Sequence, residues 1–296
     1  MGPYPEHKNN FASAGDTTSR VSPQIWSNCP FDEVESGFHP GYARHWEFVG
    51  FKPSTNVNAA EAYWSDGLMV FGSNGAVVTA GSDPTVGTGT VAANAFGTVA
   101  IGSDGDDEGC VIRQPGAPIK LSGPNSAITA RSGRFWFEWR GKVSTVSDVQ
   151  ADCYVGLVED VAATATVPIT ATGGTLADKN LVGFHRRANA TSGNGALIYP
   201  VYKADGQTVA YGTTTQAITA DTYVKLGLIY EPTDNTIKWF GNGLQLLNYA
   251  VLATQGNPFP NDILMGAVIA ILNAAGSISP TITSDWMRIC QIPYGT

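Results

Sequence analysis

Residues 134 to 143 alternate between the two faces of a β-strand, and this pattern restricts what the whole chain can fold into. Successive side chains of a strand point to opposite faces, so a period of two predicts one long strand. One face is apolar and consists of Phe135, Phe137, Trp139 and Val143. The other face carries the charges and consists of Trp136, Glu138, Arg140 and Lys142. We expect the apolar face to lie in a core and the charged face in solvent.

Turn signals connect further strands of this kind. Asp205-Gly206 and Asn242-Gly243 each separate two apolar stretches, and both pairs tolerate the positive φ angles of a tight hairpin turn. The apolar run 263–272, which follows Pro260, is predicted to be a strand and not a helix, because the segments around it are predicted to be strands. The predicted strands are 97–102, 109–113, 134–143, 153–158, 181–185, 197–203, 207–211, 223–230, 236–240, 244–247, 263–272 and 284–292. The sequence therefore predicts an all-β protein, an antiparallel β-sandwich over residues 61–296, clearest from about residue 98.

The charge pattern argues against several classes of partner. Charged residues make up 14% of the chain, the net charge is −8, and no basic cluster is present, so we expect no nucleic-acid partner. The longest apolar run, 263–272, is shorter than the roughly 20 residues of a membrane-spanning helix, so we expect no membrane contact. No apolar leader opens the chain, which predicts a protein made in the cytoplasm without a secretion signal. Four widely spaced cysteines favour free thiols over a zinc site or disulfides.

Residues 1–60 differ from the rest and are predicted to form an extended, irregular N-terminal arm. They are rich in proline and lack sustained alternation, yet they carry more aromatic side chains than a disordered tail would. Two interpretations remain open: the arm wraps around its own domain, or it docks on a neighbouring subunit or another protein. For the second interpretation the candidate partner-binding residues are Tyr4, Phe11, Trp26, Phe31, Phe38, Tyr42 and Trp46.

Patterns that would indicate catalysis are missing from the sequence. A retaining glycosidase needs two carboxylates about 5 Å apart, but Glu138 has no second acid at strand spacing and is interpreted as a solvent-facing residue. No Gly-x-Ser-x-Gly elbow is present, and His185 has no obvious partner. We therefore expect a binding protein and not an enzyme.

Two weaker patterns concern ligands. Asp104, Asp106 and Asp107 could offer oxygens to calcium, and the alternative is a solvated turn between two strands. No other cofactor is expected. Trp64, Trp136 and Trp239 are candidate glycan contacts, because sandwich lectins stack exposed aromatic rings on sugars, and the alternative is that these rings belong to the core.

Several of these strands resemble, in order, the concanavalin A-like and laminin G-like jelly rolls. The residues that carry this resemblance are Phe135–Trp139, Tyr154–Leu157, Tyr223–Tyr230, Ile237–Gly243 and Asp285–Ile289. A narrower resemblance, to sandwich proteins among tailed-phage structural genes, rests on Gly102–Asp107, Trp136–Arg140, Val155–Glu159 and Tyr223–Gly227. The metal ligands of the lectins and the acid motif of the sandwich glucanases have no clear counterpart.

What the resemblance implies is a virion structural protein. Its function would be that of a capsid decoration or cement protein, which stabilises the capsid surface through its sandwich and its N-terminal arm. The implied partners are the major capsid protein or further copies of this chain, and the implied location is the virion. The alternative is a carbohydrate-binding, lectin-like module on a phage head or tail, with a glycan as its partner.

Overall fold

Most of the described chain is β-strand arranged in two antiparallel sheets, which confirms the predicted all-β sandwich. The computed structural model describes residues 17–48, 63–65, 67–72, 99–102, 108–121, 133–159, 168–170, 174–188, 195–233, 236–249, 259–260, 263–274 and 280–293. Two short helices, α1 (Pro23–Trp26) and α2 (Phe31–Glu35), come first. The strands are β1 (Tyr42–Trp46), β2 (Tyr63–Ser65), β3 (Leu68–Gly72), β4 (Val99–Gly102), β5 (Glu108–Arg113), β6 (Ile119–Lys120), β7 (Phe135–Val143), β8 (Ala151–Glu159), β9 (Leu181–Arg186), β10 (Leu197–Lys203), β11 (Ala210–Tyr211), β12 (Gln216–Ala217), β13 (Val224–Glu231), β14 (Thr236–Gly241), β15 (Leu244–Tyr249), β16 (Leu264–Asn273) and β17 (Thr281–Gln291).

The first sheet, sheet A, is built around the alternating strand β7. Its strand order is β1–β17–β7–β13–β14–β15, and β4 also pairs with β17. Trp139 of β7 lies opposite Leu226 on one side and Met287 on the other, and all three side chains are buried. The apolar face predicted for this strand therefore does face a core.

The second sheet, sheet B, has the order β11–β10–β9–β8–β16–β5–β3–β2, with β12 paired to β10 and β6 to β16. At its centre Val155 of β8 lies opposite Ile269 of β16. Nearly every residue of these two strands is buried, on both faces of the sheet, which explains their continuous apolar character. β16 confirms the strand predicted for 263–272.

The core lies between the two sheets and is closely filled. The ring of Phe184 from sheet B meets the ring of Trp239 from sheet A edge to face, with 5.3 Å between the ring centroids. A cavity of about 10 Å³ remains beside Trp139, Phe184 and Ile198. That volume is near the minimum that holds one water molecule, so this cavity has no room for a sugar or a cofactor.

The two predicted turns differ in the structure. Asn242 and Gly243 have φ values of 50° and 75° and join the paired residues Gly241 and Leu244, so the tight hairpin is confirmed. Gly206 also has a positive φ, 72°. However, β10 ends at Lys203 and β11 begins only at Ala210, so the loop there is wider than a two-residue turn.

A strand from within the predicted arm belongs to the sandwich itself. β1 pairs with the last strand, β17, and places Ala43 opposite Cys290. Residues 17–37, here called the N-terminal cover, precede this strand and carry both helices. The cover packs on the outer face of sheet A through a second apolar cluster that includes Ile25, Trp26 and Phe31. For this part of the arm, the structure matches the interpretation in which the arm wraps around its own domain.

Candidate functional site

The charged face of β7 is covered at Trp136 and Glu138 and half-buried at Arg140 and Lys142, which corrects the expectation that it lies in solvent. Trp136 is 1% exposed and Glu138 is 0% exposed. The reason is the N-terminal cover, whose apolar side chains pack against Trp136 and Phe240 on this face. Alternation places residues on a common face, but it does not show whether another segment covers that face.

Glu138 receives its hydrogen bonds from the N-terminal cover. Its Oε2 accepts one from the backbone N–H of Ser22 at 3.0 Å and one from the indole N–H of Trp26 at 2.7 Å. Burial raises the pKa of Glu138 above its ordinary value, while these donors and the nearby positive charge of Lys225 act in the opposite direction. Lys225 Nζ also donates to the carbonyl oxygen of Arg20 at 3.1 Å. The buried carboxylate therefore holds the cover in place and is not positioned as a surface acid.

Two arginines of sheet A complete the attachment of the cover. The guanidinium carbon of Arg288 lies 3.6 Å from the ring centroid of Phe31 and 4.7 Å from that of Trp26. Arg140 Nε donates to the carbonyl oxygen of Thr17 at 2.7 Å and pairs with Asp285. Cationic groups over aromatic faces stabilise such contacts by about 0.5–2 kcal/mol each.

Three of the predicted partner-binding residues lie in the interior of this chain. Trp26, Phe31 and Trp46 are 3%, 4% and 2% exposed, so they are packing residues and have no surface to offer a partner. Tyr42 is half-buried, with its hydroxyl near the side chain of Gln114. The remaining candidates are Tyr4 and Phe11, which lie outside the described residues, and Phe38.

Phe38 is 90% exposed at the rim of the N-terminal cover. It follows α2 in a turn that is held by backbone hydrogen bonds from Gly37 N–H to Val34 at 3.1 Å and from His39 N–H to Glu33 at 3.0 Å. Gly37 has a φ of 80°, a value that glycine adopts without strain. The turn therefore presents a large apolar ring to solvent on a fixed backbone.

A second surface feature lies on the outer face of sheet B, and we call it the tyrosine–arginine cluster: Asp152, His185, Arg187, Tyr199 and Tyr211. Asp152 and His185 are both 0% exposed, and Asp152 Oδ1 lies 2.5 Å from His185 Nε2. The other carboxylate oxygen accepts a hydrogen bond from the backbone N–H of Gly174. His185 Nδ1 lies 2.8 Å from the hydroxyl of Tyr211. The carboxylate thus orients the imidazole, and the imidazole orients the phenol.

The outer part of this cluster is aromatic and cationic. Tyr211 stacks on His185 and meets Tyr199 edge to face, both with 5.8 Å between centroids. The guanidinium carbon of Arg187 lies 4.7 Å from the centroid of the Tyr211 ring. Burial raises the pKa of Tyr211, so its hydroxyl stays protonated. Tyr199, Tyr211 and Arg187 are all half-buried, so each keeps part of its side chain accessible.

Sequence reasoning left His185 without a partner and missed Asp152, Tyr211 and Arg187. These residues come from β8, from β11 and from the residue directly after β9, and only the pairing of sheet B brings them together. One signal was available. Asp152 is a lone carboxylate at the start of the apolar strand 151–158, and a charge in a fully buried strand requires a partner.

The remaining predicted ligand contacts are corrected or fall outside the described residues. Trp136 and Trp239 are 1% and 0% exposed, so neither can stack on a glycan, because both rings are packed into the protein. Trp64 lies in β2, but its side chain is outside what the structure describes, as are Asp104, Asp106 and Asp107. Within the described ranges, no three His, Cys, Asp or Glu side chains come together as a metal site requires. The helices found there, α1 and α2, have four and five residues, too few to cross a membrane.

Comparison with known proteins supports the fold. No protein-family model and no curated protein matches the chain. A solved structure of a protein of unknown function, SO2946 from Shewanella oneidensis MR-1, is similar with a TM-score of 0.51 at 11% identity, over 87% of this chain and 89% of that chain. A weaker likeness extends to the Emp47p carbohydrate recognition domain, with a TM-score of 0.45 at 10% identity over 67% of this chain and 84% of that one. Another extends to the carbohydrate esterase vb_24B_21 from Shiga toxin-encoding bacteriophage phi24B, with a TM-score of 0.39 at 12% identity over 66% and 81%. The similarity to SO2946 shows a shared fold and gives no function.

Proposed function

We propose that this chain is a virion structural protein, a capsid decoration or cement protein that binds the capsid surface. The observation that carries the proposal is Phe38, which is 90% exposed on a hydrogen-bonded turn. A large ring held in water on a fixed backbone loses its contact with water only when another molecule covers it. Aromatic side chains that become buried when two proteins bind dominate the binding energy of many interfaces.

The choice of a capsid as the partner is supported by the sequence. The phage resemblance covers strands on both sheets, at 136–140, 155–159 and 223–227. The proposed partners are the major capsid protein and further copies of this chain. Since the N-terminal cover closes the outer face of sheet A around Glu138, the proposed contact is the exposed rim of the cover and not the bare sheet.

Co-sedimentation of the full-length protein with assembled particles tests this function. Loss of a buried aromatic anchor costs about 2 kcal/mol or more at an interface, so Phe38→Ala should weaken binding to particles by at least about thirtyfold. Leu244→Ala is the matched control, because Leu244 is also exposed, at 53%, but lies at the far edge of sheet A in β15. Equal binding of wild type and Phe38→Ala would contradict the proposal.

The second candidate function is saccharide binding, and the tyrosine–arginine cluster supports it. Aromatic rings combined with a few fixed polar groups are typical of small-molecule sites. Tyr211, His185 and Asp152 are joined by hydrogen bonds in the same order as the serine, histidine and aspartate of serine hydrolases, where this arrangement activates the serine hydroxyl. Here the hydroxyl is a phenol that stays protonated because burial raises its pKa, and so we propose a binding role for these three residues and no catalytic one.

A glycan array probed with wild type and Tyr211→Ala tests the second function. We expect a defined set of glycans to be bound by wild type and lost in the variant. Tyr223→Ala is the matched control. The guanidinium carbon of Arg140 lies 3.8 Å from the Tyr223 ring centroid, so this tyrosine also has an arginine over its ring, but it lies directly before β13 of sheet A. A silent array, or equal losses in both variants, would contradict saccharide binding at the cluster.

A further inference from the structure

Arg187 is the cation of the tyrosine–arginine cluster, and it has few polar partners. Its Nε donates one long hydrogen bond to the carbonyl oxygen of Gly174, at 3.4 Å, and its guanidinium group lies over the ring of Tyr211. Within the described residues, no carboxylate lies within ion-pair distance of it. By contrast, Arg134 pairs with Glu231 and Lys203 pairs with Asp178.

The carboxylate of the cluster itself, Asp152, is directed to other partners and forms no ion pair with Arg187. Asp152 binds His185 through Oδ1 and the backbone N–H of Gly174 through Oδ2. A half-buried guanidinium without a carboxylate partner among the described residues is therefore present in a chain whose net charge is −8. Its two terminal nitrogens offer the planar pair of donors that matches a carboxylate.

We propose that the tyrosine–arginine cluster binds the carboxylate of an acidic sugar, with Arg187 as the group that holds it. The proposal rests on the second proposed function, saccharide binding, and adds the charge of the ligand. The guanidinium group lies over the Tyr211 ring, and its planar shape presents two donors in a fixed arrangement, so less freedom is lost when it donates two hydrogen bonds to one carboxylate. Tyr199 and Tyr211 lie beside it and supply the aromatic surface for the sugar ring.

Asp152 and His185 act through Tyr211 and are positioning residues. The carboxylate favours the imidazole tautomer with its proton on Nε2, so Nδ1 accepts the hydrogen bond from the phenol. The phenol ring is then fixed on its inner side, and its outer side supports Arg187. The pair contributes order to the site and makes no contact with the ligand.

Calorimetric titration of the full-length protein with three probes tests this inference. Methyl glucuronoside carries both the sugar ring and the carboxylate, methyl glucoside lacks the carboxylate, and N-acetylglutamate amide lacks the sugar ring. Wild type should bind the glucuronoside about tenfold to a hundredfold more tightly than the glucoside, as a charge-assisted hydrogen bond predicts. Arg187→Gln should remove this preference. Arg134→Gln, which changes an arginine near the Trp136 ring on sheet A, should keep it.

The outcomes distinguish a failure of the acidic-sugar inference from a failure of saccharide binding. If glucoside and glucuronoside bind wild type equally, or if Arg187→Gln retains the preference, the acidic ligand is wrong while saccharide binding stands. If neither glycoside binds, the acidic-sugar inference fails, and saccharide binding fails with it when the glycan array is also silent. If the glutamate derivative binds as tightly as the glucuronoside, the site recognises an acidic peptide and the sugar is wrong.

Discussion

The hydrogen bond from Trp26 to Glu138 joins the N-terminal cover to sheet A, and its contribution can be measured directly. Trp26→Phe keeps a buried aromatic ring but removes the indole N–H, which lies 2.7 Å from Glu138 Oε2. A hydrogen bond contributes about 0.5–1.5 kcal/mol when its acceptor is neutral and about 1.5–3 kcal/mol when it is charged, and the smaller ring loses about 1 kcal/mol of apolar burial. We expect the variant to lower the free energy of unfolding by about 1.5–4 kcal/mol.

Trp286→Phe is the matched control for this variant. Trp286 is 4% exposed on the same outer face of sheet A, and its indole nitrogen is buried without a hydrogen-bond partner in the described structure. Its replacement should therefore cost only the apolar burial, about 1 kcal/mol or less. Urea unfolding at neutral pH, followed by circular dichroism and extrapolated linearly, measures both variants. Equal losses of stability would refute the role given to the Trp26 hydrogen bond.

Three further predictions concern the same region. Burial and then the charge of Arg288 lower the pKa of His45 from 6.5 to about 4. The unfolded chain therefore gains a proton that the folded chain does not, and stability falls as the pH drops from about 6.5 toward 4. Urea unfolding at pH 7 and at pH 4.5 measures how much free energy of unfolding each protein loses between the two pH values. This loss should be roughly 2–3 kcal/mol smaller in His45→Phe than in wild type. Equal losses in the two proteins would contradict the assignment to His45. Burial and the neighbouring Cys290 raise the pKa of the Cys29 thiol well above its ordinary value, so this thiol should stay protonated and resist oxidised glutathione in the folded protein. Peptide mapping after exposure to oxidised glutathione should find Cys29 unmodified, and a disulfide to Cys290 or a glutathione adduct on Cys29 would speak against it. Deletion of residues 1–37 removes the donors to Glu138, so thermal unfolding should occur at a lower temperature than in the full-length chain, and an unchanged midpoint would show that the cover is not needed.

The sequence predicted the strands well because strand formation follows local signals. Alternation in 134–143 and the turn at Asn242-Gly243 depend on side-chain direction and backbone φ, which neighbouring residues determine. The covering of sheet A is not local. Glu138 and the backbone of Ser22 are 116 positions apart, and nothing near Glu138 shows that its face is buried. A charged face in solvent and a charged face beneath a covering segment give the same pattern.

The tyrosine–arginine cluster was missed for a related reason. His185 lies opposite Tyr154 in β8 and Tyr199 in β10, and this register determines which side chains meet on the outer face. The register depends on long-range strand pairing and cannot be read from the spacing of His185, Asp152 and Tyr211 along the chain. A buried carboxylate in an apolar strand indicates that a partner exists, but it does not identify the partner.

The two proposed contacts belong to different sheets, and this separation allows each to be tested without disturbing the other. Phe38 precedes β1 at one edge of sheet A, whereas Tyr211 lies in β11 at one edge of sheet B. Changes at sites that share no partner add in free energy to within a few tenths of a kcal/mol. Phe38→Ala should therefore leave sugar affinity unchanged, and Arg187→Gln should leave particle binding unchanged. If either variant alters both activities, the two features form one interface, and the capsid contact then includes the tyrosine–arginine cluster.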